Sequence, residues 1–501
     1  MTPYPDQTLT GLLARQAAER PQATALRFGD VTLHYGDLDR QVARVAALLH
    51  GRWGVRAGDR VAWLGLNHPA QLLLLFALAR LGAILLPVNH RLAPPEWAAV
   101  FADCAPRHLV HDGSCAEAAR SLGRQHGAAV HPVGEIEGAG EAAEAPQAQG
   151  QAQAPVLLVY TSGTGGRSRA AEHTQANLLA NMQAAAQVQA MTPADLILTV
   201  LPLFHVGGLC IQTLPALHAG ACVLLHPRFD AGATLDAIAR ERPTLTLQVP
   251  ATMKALCEHP HWRSTALASL RAVWAGSSLL PPPLVTAFQT RGLPVCNVYG
   301  ATETGPFSIA LGPPHAFGGA GSCGWPAPGV EVRLAPASGA TAGGGDADAG
   351  ELWIRGPAVV RRYWPDLPAT DAEGWFHSGD LARRSADGSY TVVGRARELI
   401  ITGGENVHPA EIEDLLAAHP GVAECAAFGL PDARWGEVVA VALVLRPGVE
   451  PSDAALAAYL APQLARYKIP RRWLRVPALP RTALGKVQRH LLAALATAPG
   501  G

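Results

Sequence analysis

Three short segments between residues 374 and 409 carry groups that could bind a nucleotide and then let part of the chain move: Gly379-Asp380, Gly394-Arg395 and Gly403-Gly404-Glu405-Asn406. A short carboxylate beside a glycine can approach a sugar closely enough to accept from two adjacent hydroxyls, which makes Asp380 a candidate ribose ligand. Taken alone, such a pair after the turn-rich run Trp375-Phe376-His377-Ser378 more often reads as a turn or helix-cap aspartate. Its surroundings favour the first reading. Tyr390-Thr391-Val392-Val393 alternates as a strand closed by Gly394-Arg395, and Ile400 to Asn406 reads as a strand and a turn. Two strands with a charged break between them suit a hinge, and Arg397 lies in that break.

A second constellation is Tyr160-Thr161-Ser162-Gly163-Thr164-Gly165-Gly166-Arg167-Ser168-Arg169, directly after an apolar run at Val156-Val159. Hydroxyls, backbone amides and two arginines can surround phosphate oxygens, although such residues also dominate ordinary solvent loops. The GxxxxGK[ST] spacing is absent, which disfavours a P-loop fold. Further along stand Asn297-Val298-Tyr299-Gly300-Ala301-Thr302-Glu303, the small residues Ala275-Gly276-Ser277-Ser278, and His205 within Leu203-Phe204-His205-Val206-Gly207-Gly208. Lys486 lies within Pro480-Arg481-Thr482-Ala483-Leu484-Gly485-Lys486-Val487-Gln488-Arg489. An aromatic face suits a base, and a carboxylate oxygen suits magnesium bridging phosphates. Singly, His205 reads as a core histidine and Lys486 as a solvated one.

The elements that must position these groups belong to a chain of 501 residues, too long for one ordinary core. Apolar runs at Val61-Leu66, Val156-Val159, Leu196-Val200 and Cys222-Leu225 alternate with alanine- and leucine-rich helical stretches, so the expected class is α/β with buried sheets flanked by helices. The run from Leu72 to Leu86 is broken by Arg80 and reads as a buried helix and a core strand, not a membrane span. Gly138 to Pro155 and Ala337 to Gly350 read as exposed loops. The 40 basic and 40 acidic residues cancel, and nothing favours a nucleic-acid partner. The first residues lack a basic segment followed by an apolar one, and eight cysteines are scattered without a CxxC pair, so a reducing cytoplasm is expected.

Taken in order, these motifs resemble those of the adenylate-forming (AMP-binding) acyl-CoA synthetases. The phosphate segment is similar to the family's YTSGTTGxPKG signature, with Gly165 in place of a threonine, Ser168 of the proline, Arg169 of the lysine and Ala170 of the glycine; Arg169 keeps the cation. The resemblance implies an α/β fold with a large multi-subdomain N-terminal domain at 1–394 and a small mobile α+β domain at 395–501. It further implies phosphate contacts from Thr161, Ser162, Gly163, Thr164, Gly165 and Arg169, and an adenine site at Gly276, Ser277, Ser278, Asn297, Tyr299 and Gly300. Thr302 would touch the α-phosphate, Glu303 would hold magnesium, and Asp380 and Arg395 would hold the ribose. Lys486 would enter during adenylation, and His205 would gate the passage between acyl pocket and CoA tunnel. Gly403, Gly404 and Trp435 would serve the CoA side, with Arg397 at the position of the family's hinge residue.

The implied reaction joins a carboxylic acid to CoA through acyl-AMP, with ATP, Mg²⁺ and CoA as cofactors. Val298 stands where malonate-specific relatives place an arginine, and no aspartate near His205 awaits an α-amino group. Gly207, Gly208 and Gly276 are expected to leave room for a flat ring or a chain, so aryl and medium- or long-chain fatty acids both stay open. Loading of a carrier protein, or a catalytically weak binding protein on the same fold, are the alternatives. The expected partners are small molecules, with no nucleic acid, no transmembrane segment, and assembly as a homodimer allowed.

Overall fold

The computed structural model describes residues 8–140, 150–161, 168–276, 280–319, 321–336, 348–395, 398, 400–402, 405–432, 436–464, 466–482 and 485–497. Two large sheets share one core. In the nine-stranded sheet, Leu196–Thr199, Cys222–Leu225, Leu245–Gln248, Ala272–Gly276 and Val295–Tyr299 run parallel, and an antiparallel edge, Ile309–Leu311, follows. The eight-stranded sheet is parallel through Arg60–Leu64, Ile84–Val88, His108–His111, Ala129–Pro132 and Pro155–Thr161, then turns antiparallel at Arg169–Thr174.

The helix Pro69–Leu81 shows why the two sheets stay together. Its start follows from His68 accepting the Ala70 amide, with proline in the first turn, and its end from Gly82 at φ 70°. Every residue in it is buried, because the helices Leu9–Glu19 and Tyr35–Ala47 and the strands Ile84–Val88 and Pro155–Thr161 pack against it, in a core shared with side chains of the nine-stranded sheet. Arg80 is carried into that core and reaches Asp39 at 3.3 Å. The strand Ile84–Val88 follows directly, as the apolar run from Leu72 to Leu86 predicts. Among the described residues no helix is long and apolar enough to cross a membrane.

An antiparallel four-stranded sheet, Glu331–Ala335, Ala349–Arg355, Phe376–Arg384 and Tyr390–Arg395, completes the large part of the chain. Here the turn-like reading of Trp375 to Ser378 is corrected. Phe376 to Asp380 lie within one strand, since Trp375 and Phe376 are buried and Phe376 pairs with Ile354. Arg395 is the last residue of its strand and pairs with Asp380, so a division at 394/395 runs through the strand's end.

The C-terminal domain is built on Ile400–Thr402, Glu405–Val407, Val422–Asp432, Gly436–Leu445 and Arg472–Arg475. Glu405 and Asn406 begin a strand, in which Glu405 pairs with Thr402. Alternation along Val422–Asp432 sends Ala427 to one face, with Ile412, Leu416, Leu456 and Leu460 of two helices, and Ala426 and Phe428 to the other, with Leu492 of the last helix. The small domain thus has its own core on both faces of its sheet.

Candidate active site

The parallel strands Ala272–Gly276 and Val295–Tyr299 end side by side, with Gly276 paired to Val298, and such carboxyl ends are where open α/β sheets bind ligands. Tyr299 closes the second strand. Its ring is wedged among Ile309, Leu352, Ile354 and Phe376, and its hydroxyl donates to Asp380 Oδ2 at 2.6 Å. Asp380 is buried, and a β-bulge aims it. Pairing slips between Glu351 and Trp353, Gly379 takes φ 69°, and the Gly379 amide donates to Glu351 Oε1 at 3.0 Å. A glycine with positive φ at a bulge turns the next side chain without a Cβ penalty. Gly300 is needed for space, since a Cβ there would lie 1.9 Å from the Pro306 carbonyl oxygen. Asn297 donates its amide to the Ser322 carbonyl at 3.0 Å, so it also ties down the loop beside the strand.

Next to Gly300 the chain makes a short 3₁₀ turn, Thr302–Thr304, that buries Thr302 and Glu303. Glu303 Oε1 accepts from the Tyr363 hydroxyl at 2.9 Å and from Thr161 Oγ1 at 3.4 Å. The Arg169 guanidinium sits 5.6 Å from the Tyr363 ring centre, and Thr161 also donates to the Arg169 carbonyl at 3.4 Å. Burial and the Glu303 charge both push the Tyr363 phenol up, so it stays a donor. Strands far apart in sequence are joined here: Tyr363 bridges to Ala171 beside Arg169. Sequence reasoning missed Tyr363, Glu351 and the bulge, because Arg362-Tyr363-Trp364 and Gly350-Glu351 look like ordinary strand residues.

His205 begins a short helix, its Nδ1 accepting the Gly207 amide at 3.0 Å. That bond leaves the proton on Nε2. Burial pushes His205 down to about 4, and the positive charge of Lys486 acts in the same direction. Lys486 belongs to the C-terminal domain. It stands in a tight loop closed by Thr482 N–H to the Lys486 carbonyl at 2.8 Å and Lys486 N–H to Thr482 Oγ1 at 3.2 Å.

Two sequence expectations change. A Cβ at Gly208 would lie 2.2 Å from the Pro202 carbonyl oxygen, and one at Gly276 would lie 2.6 Å from that of Val298. Neither glycine opens space for substrate; both admit neighbouring backbone. Ser162, Gly163, Thr164, Gly165, Ser277, Ser278, Arg397, Gly403, Gly404 and Trp435 lie outside the described residues, and Arg395 enters only through its strand pairing.

Fold and site together define an adenylate-forming α/β enzyme with a separate C-terminal domain. The chain belongs to the AMP-binding enzyme family, which it matches over residues 13–364, with the AMP-binding enzyme C-terminal domain at 411–486. It is 40% identical to the indoleacetate–CoA ligase of Aromatoleum aromaticum, over 96% of both chains. It is also 40% identical to a feruloyl-CoA synthase of an Amycolatopsis species, over 96% of this chain and 98% of the relative. Among solved structures, ATP-bound MatB from Rhodopseudomonas palustris superposes with a TM-score of 0.87 at 29% identity, over 97% and 98% of the two chains. The O-succinylbenzoate coenzyme A synthetase of Bacillus subtilis with ATP and magnesium gives 0.86 at 30% identity, over 96% and 98%. The protein is an AMP-forming carboxylic acid–CoA ligase that uses ATP, Mg²⁺ and CoA.

The donor set fits magnesium. Among the described residues no group of three or more His, Cys, Asp or Glu could hold a metal. One buried carboxylate, Glu303, with the Thr161 hydroxyl beside it, is what a hard cation shared with substrate phosphates needs.

Two expected results arise here. Arg169→Ala should raise the KM for ATP roughly tenfold, the scale of one charge-assisted bond to an anion, and should barely change that for the acid. An unchanged ATP dependence in steady-state kinetics would show Arg169 to be merely solvated. For His205, the folded pKa lies below the ordinary histidine value of 6.5, so its contribution to stability is complete above that pH and is lost as pH falls toward about 4. Thermal unfolding between pH 7 and 4 should therefore show a shallower acid loss in His205→Gln than in the unaltered protein. Identical slopes would contradict a buried neutral imidazole.

Proposed function

We propose that the enzyme activates an aryl-substituted carboxylic acid, with an aryl acetate or aryl propenoate as the substrate class. The relatives at 40% identity are named for indoleacetate and ferulate, both aromatic. The acyl side supports an uncharged substrate body: Val298 is apolar and 3% exposed, and His205 is neutral. Saturated fatty acids are the second substrate class, favoured by a 30% identical long-chain-fatty-acid–CoA ligase. Transfer to a carrier protein is the alternative acceptor, favoured by a 32% identical fatty acid–[acyl-carrier-protein] ligase. The kcat/KM for indole-3-acetate and ferulate should exceed that for decanoate by at least ~10-fold, a difference of about 1.4 kcal/mol in transition-state binding. Equal or reversed values, or transfer to a phosphopantetheinyl protein but not to CoA, would overturn the assignment.

In the first half-reaction a carboxylate oxygen bonds to the α-phosphorus of ATP as the bond to pyrophosphate breaks. Both reactants are anionic, so positive charge must be preorganised at the phosphorus. Lys486 supplies it from the small domain and Arg169 from the large one, and the carrying observation is the cluster of Thr161, Arg169, Tyr363 and Glu303 in the large domain. Bound magnesium would add Lewis-acid charge stabilisation, with Glu303 and Thr161 placed to hold it and Thr302 beside the α-phosphate. Asp380 accepts from the ribose hydroxyls and Arg395 donates to them, while Tyr299 lies along adenine, with Asn297, Gly276, Ser277, Ser278 and Gly300 around it. Ser162, Gly163, Thr164 and Gly165 would bind the ATP phosphates.

In the second half-reaction the domain at 395–501 turns against 1–394 about Arg397. Lys486 withdraws, and Gly403, Gly404 and Trp435 reach the pantetheine passage past His205. The thiol loses its proton, its sulfur bonds to the acyl carbon, and AMP leaves with the oxygen's electron pair. We place the enzyme in the cytoplasm, where its free cysteines stay reduced. Assembly as a homodimer is decided by sedimentation of the purified protein.

A further inference from the structure

We infer that Arg489 is a positioning residue for Lys486, coupling the lysine loop to the hinge edge of the small domain through Glu398. Arg489 opens the last helix, Arg489–Thr497, shortly after Lys486 in the chain. Its Nη1 donates to Glu398 Oε2 at 2.9 Å, its Nη2 to Glu413 Oε1 and Oε2 at 2.8 and 3.1 Å, and its Nε to the Ala427 carbonyl at 3.0 Å. These partners come from three segments. Glu398 directly follows the hinge position, Glu413 lies on the helix Pro409–Ala417, and Ala427 lies on the edge strand Val422–Asp432. Glu413 Oε1 also accepts the Ala427 amide at 2.7 Å, so guanidinium, carboxylate and strand form one closed unit.

The other side of the lysine loop is tied as well. Arg481 donates to the Gly485 carbonyl at 2.8 Å and to Glu424 Oε2 at 2.6 Å, and Arg481 bridges to Val487. The loop is therefore a clamped piece of the small domain. A planar guanidinium shared between two carboxylates in a mostly buried setting has little rotational freedom. The path through the chain from residue 398 to residue 486 crosses the whole domain, whereas the Glu398–Arg489 pair joins its two ends directly. Movement at the hinge reaches the lysine through that pair.

The inference rests on the proposed role of Lys486 in adenylation. Arg489→Ala would leave Glu398 and Glu413 without their cation and endanger folding, so the test uses Glu398→Gln, which keeps the shape and leaves the Glu413 pair intact. Adenylation, followed as pyrophosphate release, and thioester formation from supplied acyl-AMP are measured for Glu398→Gln, Lys486→Ala and the double variant, with thermal unfolding as a folding check. Glu398→Gln should slow adenylation on the order of threefold to tenfold when Lys486 is present, the scale of coupling between neighbouring residues. It should leave thioester formation unchanged and have no effect in the Lys486→Ala background. The same factor in both backgrounds, or equal slowing of both half-reactions, overturns the coupling. If Lys486→Ala itself leaves adenylation intact, the reading of the site fails instead.

Discussion

Replacing Lys486 with alanine should slow acyl-adenylate formation by roughly 10²-fold or more, the scale of removing one preorganised charge stabiliser from a transition state. The side chain is supplied by a loop tied down by Arg481 and Arg489. Thioester formation from supplied acyl-AMP should survive, because that step needs no further charge at the phosphorus and takes place with the lysine withdrawn. Half-reaction kinetics decide the point. Comparable losses in both steps would mean that Lys486 supports the fold or both reactions, contrary to the alternating placement proposed above.

Glu303→Gln should be nearly as damaging to adenylation, again roughly 10²-fold at fixed magnesium, for a different reason. The amide oxygen can still accept from Tyr363 and Thr161, so the local structure should hold and thermal stability should change little. What disappears is the negative charge that a hard cation requires. The magnesium concentration for half-maximal rate should therefore rise, and binding of Mn²⁺ to the protein with a non-hydrolysable ATP analogue, read by electron paramagnetic resonance, should weaken. An unaltered magnesium dependence would remove Glu303 from the metal site.

Much of this architecture was legible locally. The apolar run after His68 reads as a helix and a strand because length, the initial proline and the following glycine all agree, and the structure places Pro69–Leu81 and Ile84–Val88 there. The motif residues Tyr299, Glu303, Asp380 and Lys486 stand out as candidates through their neighbours in the chain. What escaped was long-range. Tyr363 matters because it meets Glu303 and Arg169, Glu351 because it holds the Gly379 bulge, and Arg489 because it meets Glu398 and Glu413. None of those partners is near in sequence. The glycines misled in the opposite sense: Gly208 and Gly276 suggested open space, but each accommodates a carbonyl group already present in the fold.

The most direct test of the whole account is the product inventory of the purified protein given ATP, Mg²⁺, CoA and either indole-3-acetate or ferulate. Chromatography of nucleotides and thioesters should show AMP, pyrophosphate and aryl-CoA rising in equal amounts, with acyl-AMP accumulating when CoA is withheld. ADP and inorganic phosphate as products, or nucleotide turnover that yields no aryl-CoA, would contradict it.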